Sequence, residues 1–293
     1  MLRYSIIICT YNRASYLKET MESILSKFKD KDKYELLIID NNSPDNTVQV
    51  VEQFAHDAVV KYFLEKNQGL SHARNRGIME AKNEILIFLD DDIDIEENYL
   101  EVCDRLYSDP NNNIIGGKVL PYGVTVPDWL PHKFYFIASI FDQGDEPYHV
   151  NKLMGANYGM RKEVAAKVGL YNPELGRKGN SLMGGEENDY LMRAQQLGYK
   201  VLYHPGLVVY HKIENKLNKE YILNYAPHIG DVEAFIDAKN NKPRLYMRGV
   251  KSMMRVAAYY LYGSYVPNEK QRIYFKVNQL QGLSYIKRLM KSS

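Results

Sequence analysis

The chain has 293 residues, 45% hydrophobic and 25% charged, which excludes disordered and fibrous classes and allows one large domain or two small ones. Two cysteines, Cys9 and Cys103, make a disulfide framework unlikely to be the stabilising device and fit no metal spacing, so a reducing compartment, the cytoplasm, is expected. No basic, cleavable leader is read at the start, and no apolar run approaches the roughly 20 residues of a membrane-spanning helix. The net charge of +2 is unevenly spread: residues 241–293 carry eleven Lys and Arg against Glu269 alone, a local +10, leaving −8 on the first 240.

The first third alternates regularly. A buried strand is predicted over 4–9, an amphipathic helix over 14–28 and a second strand over 34–40. Ser43 can cap a helix that has Pro44 at its first position. A strand over 58–63, a helix over 70–82, a strand over 84–89, a helix near 96–108 and a strand over 114–121 continue the series. Continuous β-branched runs separated by helices predict an α/β domain with a mainly parallel sheet covered on both faces.

After Pro121 the pattern breaks into a long excursion, followed by an extended segment in "LMGANYGMRK". A Gly-rich loop over 176–185 precedes a helix from Glu186 to Gly198, and "KVLYHPGLVVYH" reads as strand, turn and second strand. Beyond Lys216 the sequence is helical throughout.

Open parallel sheets bind ligands beyond the carboxyl ends of their strands, and those ends carry "CTYNR", "DNNS", "EKNQGLSHARN" and "DDD". Neither a G-x-G-x-x-G nor a G-x-x-x-x-G-K-[ST] loop is present, so a phosphate ligand needs another partner than a glycine cradle. A hard divalent cation on Asp90, Asp91 and Asp92 would supply it, against the bland reading of a solvated acidic turn. Nothing basic lies in that stretch to offset three adjacent carboxylates. Asp40 ends the second strand without a capping duty of its own. Arg74, one turn into its helix, suits a phosphate or a structural contact. Trp129, between Pro127 and Pro131, is either a loop pin or a stacking platform for a sugar. Gly155 and Ala156, before Asn157, permit close backbone approach. His211 is either a half-buried polar strand end or a ligand, and His204 looks structural.

In chain order, "SIIICTYNR", "LLIIDNNS", "NQGLSHARNRG", "FLDDD", "MGANYGMRKE" and "GGEENDYLMR" resemble family 2 of inverting glycosyltransferases, over roughly residues 3–212. The resemblance implies a GT-A nucleotide-diphospho-sugar transferase fold with a C-terminal helical segment. It also implies a nucleotide-diphosphate sugar donor (a UDP-sugar by preference), a divalent cation (Mn²⁺ or Mg²⁺) and a glycan or lipid-linked glycan acceptor. "LGRKGNSLMGGEE" and "PDWLP" point to members that build bacterial surface polysaccharide. By the same resemblance Asp90 and Asp91 face the nucleotide sugar and Asp92 holds the metal, which His211 can also reach. Asp40 accepts from the base, with Thr10 and Arg13 lining that pocket, Tyr11 either lining it or packing in the core, and Asn67, Gly69 and Arg74 nearby. Gly155, Ala156 and Asn157 face the acceptor with Trp129 and Glu186.

The family's catalytic base is the second acid of a Glu-Asp pair. Here that residue is Glu187, one methylene longer, with Asp189 the second candidate. The expected organisation is a catalytic domain over 1–216, its nucleotide-sugar half 1–121 and acceptor half 122–216, then a basic helical segment over 217–293. Arg244, Arg248, Lys251 and Arg255, spaced 4, 3 and 4, form a basic stripe that either stays in water or meets anionic lipid on the membrane's inner face through 243–291. A nucleic-acid partner is not expected. The rival readings are a sugar-nucleotide nucleotidyltransferase, which wants a Gly/Arg/Lys-rich first loop that "CTYNR" lacks, and a non-catalytic sugar-nucleotide-binding protein, which would lose the carboxylates that "GGEEND" keeps.

Overall fold

Strand β1 (Tyr4–Thr10) shows why the apolar runs are continuous. Ile6 and Ile8 pack on one side with Leu17, Met21 and Ile24 of helix α1 (Ala14–Lys27), while Ile7 packs on the other with Ala73 of α3 (Leu70–Glu80). A strand with helices on both faces has no polar side to show. Gly77 brings α3 close, since a Cβ there would overlap Ile7. The computed structural model describes residues 2–179, 183–240 and 242–292. It divides into two compact units: Met1–Gly123, Ile140–Gly179 and Glu186–Lys212 form the first, and Val124–Ser139, Asn180–Gly185 and Ile213–Ser293 the second.

The first unit holds the sheet. Strand β2 (Tyr34–Asp40), β3 (Val60–Leu64), β4 (Ile85–Leu89), β5 (Ile93–Ile95), β6 (Ile114–Pro121), β7 (Tyr148–His149), β8 (Asn157–Arg161) and β9 (Val201–His211) join β1 in the order β3-β2-β1-β4-β8-β6-β9-β5, with β7 also on β9. From β3 to β4 every pairing is parallel, as the alternation predicts. Beyond β4 the sheet is mixed, because β8 enters antiparallel between β4 and β6. This reversal places the start of β8 beside the end of β4, with Asn157 opposite Leu89.

Two local expectations are corrected. Helix α2 (Thr47–Glu52) begins at Thr47, with Asn46 before it, and not at Ser43–Pro44. Asp45 takes the Thr47 N–H and hydroxyl, while the Ser43 hydroxyl accepts from the Asn12 N–H. The segment 201–211 is one strand, not two around a turn. Between Gly116↔Tyr203 and Lys118↔Val208, β9 spends five residues against two of β6, so the register shifts and His204-Pro205-Gly206 bulges within one continuous strand. His204 Nδ1 accepts from the Gly206 N–H there, the structural duty expected of it. Of the predicted loop over 176–185, residues 180–182 lie outside the described residues. Helices α4 (Tyr99–Tyr107), α5 (Lys162–Val168) and α6 (Glu186–Gln196) complete this unit.

The second unit contains α7 (Lys219–Asn240), α8 (Lys242–Ala258) with a π turn over Tyr259–Gly263, and α9 (Glu269–Ser292). Glycines set their spacing. A Cβ on Gly230 of α7 would overlap the backbone of Gln281, and one on Gly282 of α9 would lie 2.8 Å from the Ser252 carbonyl. Tyr285 is buried between Asp237 Oδ2 at 3.0 Å and the Leu245 carbonyl at 3.2 Å.

Candidate active site

The end of β4 runs into Asp90-Asp91-Asp92, and the three carboxylates have different surroundings. Asp91 and Asp92 are buried, whereas Asp90 keeps 36% of its side chain exposed. The missing positive charge comes from elsewhere in the chain. Arg13, just past β1, donates through Nη1 to Asp91 Oδ1 at 2.9 Å and through Nη2 to Asp92 Oδ2. Burial opposes the guanidinium charge, but Asp91 and Asp92 together hold its pKa above the ordinary value. Thr10 donates to Asp91 Oδ2 at 2.7 Å. Burial still pushes the Asp91 carboxyl up to about 7, against the pull of Arg13 and Thr10.

Thr10, Arg13 and Asp91, all expected to line the nucleotide-sugar pocket, meet one another and form the floor of the loop. Thr20 of α1, which sequence reasoning missed, lies 2.9 Å from both the Asp91 and Ile93 carbonyls and accepts the Ile93 N–H. Its pattern position reads as an ordinary core-facing helix residue, so only the fold reveals it.

Strand β5 continues directly from the loop and pairs antiparallel with β9, Ile93 opposite His211. The Lys212 N–H closes the same ladder on the Asp92 carbonyl at 2.9 Å. His211 Nε2 therefore lies 2.7 Å from Asp92 Oδ1 and 3.8 Å from Asp90 Oδ2. One ligand atom from each of Asp90, Asp92 and His211 falls within 4.8 Å of the others. Two carboxylates and an imidazole at that spacing are compatible with a divalent cation that takes oxygen and nitrogen ligands, and the partly exposed Asp90 leaves one side open.

A second cluster surrounds Arg74. This residue is buried, so it contacts protein rather than an exchangeable phosphate. Nη1 donates to Glu186 Oε1 at 2.6 Å and lies 3.9 Å from Glu187 Oε2, and Nη2 donates to the Gly155 carbonyl at 3.3 Å. The guanidinium carbon sits 5.6 Å from the Tyr171 ring centre. Burial and the neighbouring Glu186 charge push the Glu187 carboxyl up to about 8, with Arg74 pulling the other way. Glu186 Oε2 is buried with no hydrogen-bond partner among the described residues. Asp189 turns elsewhere: it accepts from Arg193 Nε at 2.9 Å, and Arg193 also donates to the Val168 and Leu170 carbonyls. The two clusters meet around Cys9 of β1. Cys9 is half-buried; desolvation pushes its thiol up to about 12, with Arg74 lowering it and Asp90, Asp91 and Glu186 raising it.

The remaining predicted residues divide. Asp40 does have a local duty, contrary to expectation: Oδ1 accepts the Ser43 N–H at 2.9 Å and Oδ2 the Tyr62 hydroxyl at 2.7 Å. Tyr11 is half-buried at the end of β1. Asn67 and Gly69 are held by Asn41, an unpredicted hub, whose amide donates to the Asn67 carbonyl at 2.7 Å and accepts the Gly69 N–H at 2.7 Å. The acceptor-facing set is corrected most. Asn157 is fully buried, taking the Tyr99 hydroxyl and donating to the Lys118 and Leu207 carbonyls. Ala156 lies in the core. Gly155 makes room for Arg74, since a Cβ there would sit 2.5 Å from Nη2. Trp129 belongs to the second unit, half-buried, with the Lys219 ammonium 5.7 Å from its ring centre.

Comparison with known proteins adds an independent result. The sequence profile described as Glycosyl transferase family 2 matches residues 5–169. A glucosyl-dolichyl phosphate glucuronosyltransferase of Haloferax volcanii is 27% identical over 72% of this chain and 70% of its own length. The chain spans 66% of a second relative from that organism and less than half of other curated relatives. Mannosyltransferase PcManGT from Pyrobaculum calidifontis, solved in complex with GDP-Man and Mn²⁺, superposes with a TM-score of 0.66 at 16% identity, over 100% of this chain and 88% of that one. S. aureus TarS 1–349 in complex with UDP-GlcNAc gives 0.57 at 15% identity, over 99% and 92%. At such identities the likeness is one of fold.

Proposed function

Because the chain belongs to glycosyl transferase family 2 and has the GT-A fold, we propose that this glycosyltransferase is cation-dependent and inverting. The donor is a nucleotide-diphosphate sugar, with a UDP-sugar preferred. The acceptor is a glycan or lipid-linked glycan, and the product enters surface-polysaccharide assembly. The observation that carries this reading is the convergence of Asp90, Asp92 and His211 at the carboxyl end of β4, where an α/β sheet receives its ligand. A Mn²⁺ or Mg²⁺ held there would neutralise charge developing on the departing diphosphate.

The chain's own residues do the rest. The floor of Arg13 and Thr10 fixes the aspartate loop, leaving Asp90 partly open toward the donor. Asp40, at the end of β2, would accept from the base, each of its oxygens retaining a lone pair beyond the Ser43 and Tyr62 contacts. The acceptor hydroxyl attacks the anomeric carbon as the bond to the diphosphate oxygen breaks, and its proton passes to Glu187. A carboxyl raised to about 8 is a stronger base than an ordinary one, which suits it to a hydroxyl near neutral pH. Arg74 and Glu186 are positioning residues: the pair anchors the start of α6 and sets the charge beside Glu187. Asp189, tied to Arg193, is the weaker candidate for the base.

The names of the compared proteins support the substrate classes: GDP-Man with Mn²⁺ in one complex, UDP-GlcNAc in another, and a dolichyl phosphate glycolipid as a relative's substrate. The test is nucleoside diphosphate release from a panel of UDP- and GDP-sugars, with and without a chelator. Release that needs Mn²⁺ or Mg²⁺ and stops with the chelator is expected. Release indifferent to the chelator would overturn the cation requirement, and pyrophosphate release from a nucleoside triphosphate and sugar phosphate would overturn the transfer reaction.

A further inference from the structure

Helix α8 divides its circumference three ways. Leu245, Gly249, Ser252 and Val256, spaced 4, 3 and 4, turn toward the other helices: Leu245 and Ser252 are buried, Gly249 meets Leu289, and Ser252 meets Gly282. The predicted basic stripe is the second face, and its first two residues are tied to the protein. Arg248 pairs with Asp237 at 3.1 Å and Glu233 at 3.6 Å, and Arg244 with Asp237 at 3.3 Å, all across to α7.

The third face is apolar and open. Tyr246, Met247, Val250, Met253, Met254 and, on the π turn, Leu261 are each 56–68% exposed. At about 100° per residue they cover roughly 120° of the helix, the width usual for a buried face. No described helix is long and apolar enough to cross a membrane, so this is not the side of a spanning segment.

Charge selects the occupant. From Lys242 to Asn268 the chain has five Lys and Arg and no acid, and the exposed Lys251 lies roughly 40–60° around the helix from Met247 and Met254. A second copy meeting this face symmetrically would bring Lys251 toward its own counterpart, with no carboxylate on the helix to match it. An anionic lipid surface offers apolar depth and negative headgroups in the same geometry.

We propose that α8 is an interfacial lipid-docking helix, its Met- and Tyr-rich arc entering the acyl boundary of an anionic bilayer while Lys251 meets the phosphates. The tyrosines of the π turn, Tyr260 and Tyr262, would sit at headgroup level. Attachment therefore rests on the apolar arc, with Lys251 supplying the preference for anionic lipid.

Sedimentation of the full chain with vesicles of phosphatidylcholine, alone or mixed with phosphatidylglycerol, tests this. Partition onto the anionic vesicles should exceed that onto neutral ones by roughly tenfold or more. The double substitution Met253→Asp, Met254→Asp should lower it by a similar factor, and Lys251→Glu should reduce the anionic preference. All three positions are exposed, so circular dichroism and Tm should match the parent. Equal partition onto both vesicle types, or a double variant that pellets like the parent, overturns the proposal. A parent dimer that the double variant converts to monomer also overturns it and assigns the arc to a second copy.

Discussion

Two buried carboxylates side by side are unfavourable unless a cation and hydrogen bonds meet them, and Arg13 with Thr10 supplies both to Asp91 and Asp92. The partnership spans 78 residues of chain, so reading the local stretch alone finds only repulsion. Asp92→Asn should abolish cation-dependent transfer while keeping the fold, at a cost of about 1–3 kcal/mol because Arg13 and His211 each lose a charged partner. Nucleotide titrations with and without Mn²⁺, beside urea unfolding, measure both. Glu187→Gln should lower kcat by roughly 10² or more with donor KM unchanged. In the parent, kcat/KM should fall as pH drops below about 8, where Glu187 takes its proton. The stability sign runs the opposite way from a salt-bridged acid. The folded chain holds a proton that the unfolded chain releases, so this group destabilises increasingly as pH rises from 4.5 to about 8. Glu187→Gln should then melt higher than the parent above pH 8, and the difference should vanish below 4.5. A pH series of melting curves decides it.

Elements were legible where their period was strong and their partners lay close in sequence. The alternation through the first half anticipates β1 to β4 and the helices between them, because each strand's apolar run answers to helices on both faces. The antiparallel entry of β8 was not legible, since its short run Asn157–Arg161 is equally buried in either direction. Pro205-Gly206 looked like a turn, and only the ladder to β6 keeps β9 continuous across it. Small residues at the start of β8 looked like an approach for a ligand, yet Gly155 accommodates Arg74 and Asn157 ties together Tyr99, Lys118 and Leu207. Among the helices, Gly230 carries a sharper constraint than its sequence suggests. Gly230→Ala would drive a methyl into the Gln281 backbone, which cannot rotate aside. A loss of about 1–3 kcal/mol is expected from overpacking, read by chemical denaturation, although alanine is the better helix former.

At the scale of the whole chain, the match to the family profile ends at residue 169, before Glu187 and His211, so these two positions are read from structure and resemblance rather than from the profile. The helical unit adds a strongly basic segment to an otherwise acidic chain. The pairing of Asp92 with His211 closes a loop of 119 residues. Loop closure of that length is entropically unfavourable and is completed only when β9 pairs with β5. Mn²⁺ with a nucleoside diphosphate should therefore raise Tm in the parent and do so less in His211→Ala, since the ligand binds only the finished sheet. Kinetically, the same separation would make binding of a cation there a late event. A refolding chain should recover the circular dichroism of its local helices before it recovers any cation-dependent nucleotide affinity, so affinity of that kind would time the closure of a long-range contact.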